Sequence, residues 1–267
     1  MRVHFLDVGQ GDCTIVEFSG GNVLVVDAGD GKFTSRTKLL RYLKGLHPLE
    51  IALVATHTDR DHCGGFPSLL RTFDVGTFYL PSGSDLDPKL QDALKDSGVK
   101  TEKLTRYGVV ADDSGAYAVC ISPLASEADA TENDASTVLF LSYGGVNFLL
   151  TGDISEETEK RLMEEYALME GIFDSGPYSV RLEETDILKV PHHGSASSCS
   201  EGWVNLLSAK TAIISSGQGN TYGHPSIDAM ERLALSGADI YRTDELGDVV
   251  VSVKDGAYLI GFSSKET

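Results

Sequence analysis

Within the segment HTDRDH, residues 57 to 62, stand two histidines and two aspartates: His57, Asp59, Asp61 and His62. The apolar run IALVAT leads into it and Gly64 and Gly65 follow it, the arrangement of a buried strand opening into a loop. In an extended loop alternate side chains share a face, so His57, Asp59 and Asp61 converge on one point. His62 then adds a nitrogen beside Asp61. Imidazole and carboxylate together form a donor set for zinc, iron or manganese. Three later segments repeat the placement. TGD puts Asp153 after the strand-like VNFLL, PHHGS puts His192 and His193 after ILKV, and YGHP puts His224 beyond AIISSG. Ligand-type residues just past the C-terminal ends of strands sit where open sheets present their sites. His4 lies inside an apolar run and reads as a core histidine, and His47 precedes Pro48 in a loop with no functional signal. Gln10 and Asp12, in GQGD, suit a turn; the alternative is that they face the rim of the site.

The elements that must hold these residues alternate along the chain. VHFLDV, CTIVEF and NVLVVDAG read as three short strands separated by turn-rich GQGD and SGGN. Residues 35 to 45 read as a helix with Leu39, Leu40 and Leu43 on one face and Gly45 as its stop. After the HTDRDH loop a second helix is expected around 64 to 72. TFYLP, the helical DPKLQDALKDSG and several strand-like pieces follow. A helix over about 155 to 169 carries Leu162, Tyr166 and Met169, and residues 171 to 184 read as a loop or insertion. TAIISSG, the helical IDAMERLALSG, then ADIYRT, DVVVSV and YLIGF close the chain. With no repeat and no linker, a single domain spanning 1–267 is expected, two packed sheets with helices on both outer faces.

Composition bounds the rest. No run of 18 apolar residues is present, so no membrane-spanning helix is expected, and MRVHFLDVGQGD turns acidic too early for a secretory signal. A cytoplasmic location is therefore expected, although a segment of a longer membrane protein would read the same way. Cys13, Cys63, Cys120 and Cys199 lack the spacing of a disulfide framework or zinc finger, and Cys63 reads as a buried thiol despite following His62. The 22 basic residues are outnumbered by 40 acids, a net charge of −18, which argues against generic phosphate-backbone binding. DNA is thus disfavoured as a partner; Arg60, Lys189 and Lys210 are the first cations to consider for any DNA groove.

HxDxDHxGG, then TGD, then PHHGS, then GHP resembles the metallo-β-lactamase-fold hydrolases over essentially the whole chain. With the opening FLDVGQGD, the order is most similar to the branch of the ComEC competence-protein domain and the phosphorylcholine esterases. The resemblance implies an α/β, four-layer αββα sandwich of metallo-β-lactamase type. It further implies a metal-dependent hydrolase with two divalent ions, zinc first and manganese second, and a bridging hydroxide as nucleophile. His57 and Asp59 would hold one metal, Asp61 and His62 the other, and Asp153 would bridge them. The superfamily usually has histidine where Asp59 stands, so this first site is richer in oxygen. His193 and His224 would complete the ligand set, with His192 contacting the phosphate or leaving group and Asp61 accepting the proton of the hydroxide. Asp27 would orient ligands from beneath. Ser195 and Ser197 would contact a phosphate, or are solvated loop serines. A phosphodiester or small phosphoester is the favoured substrate; the alternatives are an acyl or amide hydrolase and a metal-binding module without turnover.

Overall fold

The computed structural model describes residues 1–81, 86–125 and 133–263. Positions 82–85, 126–132 and 264–267 of the expected single-domain span lie outside the described residues. The first apolar runs form a meander of β1 (Arg2–Phe5), β2 (Thr14–Glu17) and β3 (Val23–Val26). Helix α1 (Phe33–Leu46) carries the chain to β4 (Ile51–Val54), and the short α2 (Arg60–Cys63) and α3 (Phe66–Thr72) follow. Then come β5 (Thr77–Pro81), α4 (Pro88–Ser97) and β6 (Lys100–Leu104). A second meander consists of β7 (Val109–Asp113), β8 (Ala116–Ser122), β9 (Val138–Tyr143) and β10 (Val146–Leu150).

Helix α5 (Glu156–Leu168) follows, then the two-residue pair β11 (Phe173–Asp174) and β12 (Ser179–Val180) inside the segment expected as a loop. Buried Leu162 and Tyr166 face inward as expected, but Met169 is the C-cap and 38% exposed, because the helix ends before its apolar stripe does. The chain continues through β13 (Ile187–Lys189), α6 (Glu201–Leu207), β14 (Thr211–Ile214) and α7 (Ile227–Leu235). It closes with β15 (Asp239–Arg242), α8 (Thr243–Leu246), β16 (Val249–Lys254) and β17 (Ala257–Phe262).

Among the described residues the strands form one sheet ordered β17-β16-β1-β2-β3-β4-β5-β6 and another ordered β15-β14-β13-β10-β9-β8-β7. Each is mixed: β3 to β6 run parallel, as do β10, β13, β14 and β15, while the meanders are antiparallel. Side-chain alternation explains the layering. Val3, Phe5, Val16, Leu24, Val26 and Val54 pack between the sheets against Leu139, Leu141, Phe148 and Leu150. Their neighbours Ile15, Val25 and Leu53 point to the opposite face, onto Leu39, Leu43, Phe66 and Leu90 of the helices. On the far side, Phe140, Leu149, Leu188 and Ala212 pack on Leu162, Trp203, Leu207 and Leu233. The result is the four-layer αββα sandwich, and central strands buried on both faces account for runs as apolar as NVLVV and NFLL.

Candidate metal centre

The parallel pairs put the C-terminal ends of β3, β4, β10, β13 and β14 along one edge of the sandwich, and the site is built there. Asp27 follows β3 in a left-handed conformation, φ 59°. Its carboxylate accepts from the Thr56 backbone N–H (2.8 Å), the Thr56 hydroxyl (2.7 Å) and His62 Nδ1 (2.7 Å). With the Thr56 proton committed to Asp27, the hydroxyl oxygen accepts from His57 Nδ1 at 3.0 Å. His193 Nδ1 donates to the Ser215 carbonyl at 2.9 Å. Every Nδ1–H is spent, so His57, His62 and His193 present their Nε2 lone pairs to one point.

At that point sits Asp153, 3% exposed. Its Oδ2 lies 3.2 Å from His62 Nε2, 3.5 Å from His193 Nε2, 3.9 Å from His192 Nε2 and 4.0 Å from His57 Nε2. Asp61 Oδ2 stands 3.4 Å from His193 Nε2, and Asp59 Oδ2 is 3.7 Å from His57 Nε2. His57 Nε2, His62 Nε2, His193 Nε2 and Asp153 Oδ1 are buried with no hydrogen-bond partner among the described residues. One ligand atom each from Asp12, His62, Asp153 and His193 falls within a common 4.8 Å. A lone pair facing a carboxylate oxygen at 3.2 Å needs a proton or a cation between them. With protons alone, burial disfavours charge at His193, yet Asp153 and Asp12 pull its imidazole up to about 10. Burial likewise opposes ionisation of Asp153, but His62, His193 and His57 hold it well below the usual carboxylate range. The donor set therefore fits divalent metal ions.

A family model described as the metallo-beta-lactamase superfamily matches residues 6–218. The chain belongs to the metallo-β-lactamase superfamily. ComE operon protein 3 of Bacillus subtilis is 32% identical over 95% of this chain and 33% of its own length. Recombination protein 2 of Haemophilus influenzae is 28% identical over 94% of this chain and 29% of its own length. The chain thus spans about a third of the length of the curated relatives it matches, and the similarity bears out the ComEC-like branch. Among solved structures, zinc-bound PqqB from Methylobacterium extorquens superposes with TM-score 0.53 at 11% identity, covering 95% of this chain and all (100%) of its own. A diphosphatase of the PhnP family superposes with TM-score 0.50 at 14% identity over 99% of each chain. Both show the shared fold.

Within this metallo-β-lactamase frame the HTDRDH segment differs from its expected form. Asp61 and His62 lie not in an extended loop but in the helical turn α2, with Asp59 at its N-cap. Alternation therefore fails: His62 is fully buried, the Asp61 side chain is 34% exposed, and that of Asp59 is 42% exposed toward the rim. His192 and His193 both adopt left-handed backbone (φ 48° and 54°), which lets adjacent side chains face the same centre. His224 stands further out, its ring 5.5 Å from that of His192 and 6.2 Å from that of His193, with a buried Nδ1 lacking a partner among the described residues. The Ser195 hydroxyl bonds to Ser197 Oγ at 3.0 Å, and the Ser195 backbone N–H donates to the His192 carbonyl at 2.8 Å. His4 is a core histidine as expected, with Nε2 on Glu17 (3.1 Å) and Nδ1 on the Tyr42 hydroxyl (2.9 Å). Cys63 is buried and its thiol donates to the His57 carbonyl.

Asp12 is the residue that the sequence reading undervalued. It is 3% exposed, 3.3 Å from His193 Nδ1 and 2.6 Å from Lys189 Nζ. Lys189, considered above as a groove cation, is 2% exposed and spent on this pair; Lys210 is paired with Asp186 at 2.8 Å. Asp12 precedes β2 and in the sequence reads as part of a turn, with the rim of the site as the alternative. Thr14 pairs with Val26 in the antiparallel β2–β3 ladder, which brings the start of β2 to the end of β3. Gly11 (φ 137°) permits the approach, since a Cβ there would lie 2.3 Å from the Asp61 carbonyl oxygen. A GQGD turn directly before an apolar strand was the available signal.

Proposed function

We propose that the chain is a metal-dependent hydrolase of phosphodiesters with a dinuclear centre, zinc before manganese. The observation that carries the reading is the ring of unpartnered Nε2 atoms around the buried Asp153 carboxylate. His57 and Asp59 would hold one ion, Asp61 and His62 the other, with Asp153 between them and His193 and His224 completing the set. Bound ions of this kind polarise water and neutralise charge on substrate oxygens. Asp61, part exposed and 3.4 Å from His193, would orient the attacking water and take its proton. His192, with a side chain 27% exposed and 3.9 Å from Asp153, is the histidine open to a leaving group. Asp27 and Thr56 fix His57 and His62 in the tautomer that frees Nε2. Asp12, neutralised by Lys189, backs the ring of His193 and acts as an orienter rather than a ligand.

The diphosphatase neighbour supports phosphoesters over acyl substrates. The charge of −18 supports a small diester over duplex DNA. A DNA strand is the second reading, favoured by relatives named for competence and recombination. Bis-p-nitrophenyl phosphate, a lactone and single-stranded DNA, each assayed with added zinc or manganese, test the proposal. Turnover of the phosphodiester is expected; faster turnover of the lactone overturns the reading.

A further inference from the structure

In a chain with 40 acids and 22 basic residues, cations ordinarily find carboxylates. One concavity of about 270 Å³ departs from that pattern. Arg36 of α1, Arg60 of α2, Arg71 of α3 and Lys89 of α4 line it, against the two carboxylates Asp30 and Asp87. Both carboxylates are engaged elsewhere: Asp30 takes Lys32 Nζ at 2.6 Å and the Ser35 hydroxyl at 2.6 Å, and Asp87 caps α4 through the Lys89 backbone N–H. Among the described residues no carboxylate forms an ion pair with Arg36, Arg60, Arg71 or Lys89, and Arg60 reaches only the Asp30 carbonyl, at 3.4 Å. Four cations from four helices, three of them (Arg60, Arg71 and Lys89) exposed, outnumber the two carboxylates around one concavity, an excess of positive charge that favours an anion there. The planar guanidinium fork matches phosphate oxygens two at a time.

The pocket is joined to the metal centre through the chain at α2. Thr58 and Arg60 line it and bracket Asp59, and Cys63 lines it directly after His62. Adjacent Cα atoms are about 3.8 Å apart, so Arg60 belongs to the same turn as the ligands on either side of it. We infer that this pocket binds a further phosphate group of the substrate, beyond the one cleaved. Resting on the phosphodiesterase reading, this narrows the substrate to a phosphodiester that carries a second phosphate, either a terminal phosphate on a small ester or the neighbouring phosphate of a single strand.

The test begins with binding alone. Thymidine 3′,5′-bisphosphate is titrated calorimetrically into the chelator-treated chain at low salt. The pocket pair Arg71→Gln/Lys89→Gln is compared with Lys103→Gln/Lys254→Gln, which makes the same charge change at exposed lysines that do not line the pocket. Affinity is expected to fall about tenfold or more in the first pair and less than about twofold in the second. Equal losses in both pairs, or no binding by the unaltered chain, overturn the proposal. Hydrolysis by the metal-loaded enzyme then separates the sources. A lower KM for 5′-phosphorylated dithymidylate than for dithymidylate, with no further gain for an octathymidylate, assigns a terminal phosphate. A gain that continues with length assigns a strand, and identical KM values for all three overturn the subsite. Should no diester be cleaved, the phosphodiesterase reading fails, while the calorimetric result still judges the pocket.

Discussion

Replacing Asp27 by asparagine probes how the centre is held without touching any residue proposed to bind metal. Asparagine tolerates the left-handed backbone at φ 59°, so the chain path is preserved. The chemistry is not. The carboxylate now accepts three hydrogen bonds, from Thr56 N–H, Thr56 Oγ1 and His62 Nδ1, at 2.8, 2.7 and 2.7 Å. An amide has one acceptor oxygen, and its NH₂ group must face a donor. At least one charge-assisted bond is lost, about 1.5–3 kcal/mol, and a buried donor is left unsatisfied, about 1–3 kcal/mol more. Destabilisation of about 2.5–6 kcal/mol follows, a large share of the roughly 5–15 kcal/mol typical of a folded protein. At about 2–4 °C per kcal/mol for a chain of this size, Tm should fall by about 10 °C. His62 also loses the partner that fixes its tautomer, so zinc affinity should drop about 10- to 100-fold. Thermal unfolding of the chelator-treated chain gives the first quantity, and competition with a chromophoric chelator gives the second. A Tm within about 2 °C of the parent, with zinc affinity within about twofold, would refute the role given to Asp27.

Elemental analysis after reconstitution should find two divalent ions per chain; one or none after loading with excess zinc and manganese contradicts the dinuclear centre. Asp153→Asn should lower both metal occupancy and turnover, whereas His4→Gln, at a site already satisfied by Glu17 and Tyr42, should leave occupancy intact; full occupancy in Asp153→Asn removes its bridging role. Glu159 is buried on α5, where burial lifts its carboxyl to about 7 from an ordinary 4.5, although the Cys199 and Ser200 backbone N–H groups partly offset the shift. A folded-state pKa above the unfolded one means that the stability tied to the proton is complete below about pH 4.5 and is lost as pH rises to about 7, in all about 3 kcal/mol. Urea midpoints at pH 5 and 7.5 should differ for the parent and converge for Glu159→Gln, and an unchanged slope in the variant counts against Glu159. A small phosphodiester should be cleaved faster than duplex DNA, and any DNA cleavage should improve as salt rises from low levels, because the −18 chain repels a polyanion; tight duplex binding that weakens steeply with salt is the contrary result.

The sequence by itself determined which segments bring ligand-type residues to the ends of buried strands. Apolar runs such as NVLVV, IALVAT, VNFLL and ILKV mark strands buried on both faces, and Asp27, His57, Asp153 and His192 to His193 follow them at once. A strand's end is a local property, and parallel strands align their ends, so these residues could be grouped before any pairing was known. The layer order was legible for the same reason: helical stripes such as Leu39 and Leu43 need a sheet face to cover. Tertiary structure decided everything that depends on register between separate elements. Asp12 joins the centre only because β2 runs antiparallel to β3, and Lys189, a bare cation in the sequence, is consumed by Asp12. The helical turn at Arg60–Cys63 moved Asp59 to the rim and His62 to the interior, and left-handed backbone turned His192 and His193 the same way. Periodicity describes the faces of one element at a time; four cations arriving from four helices share no period, and packing alone made them one pocket.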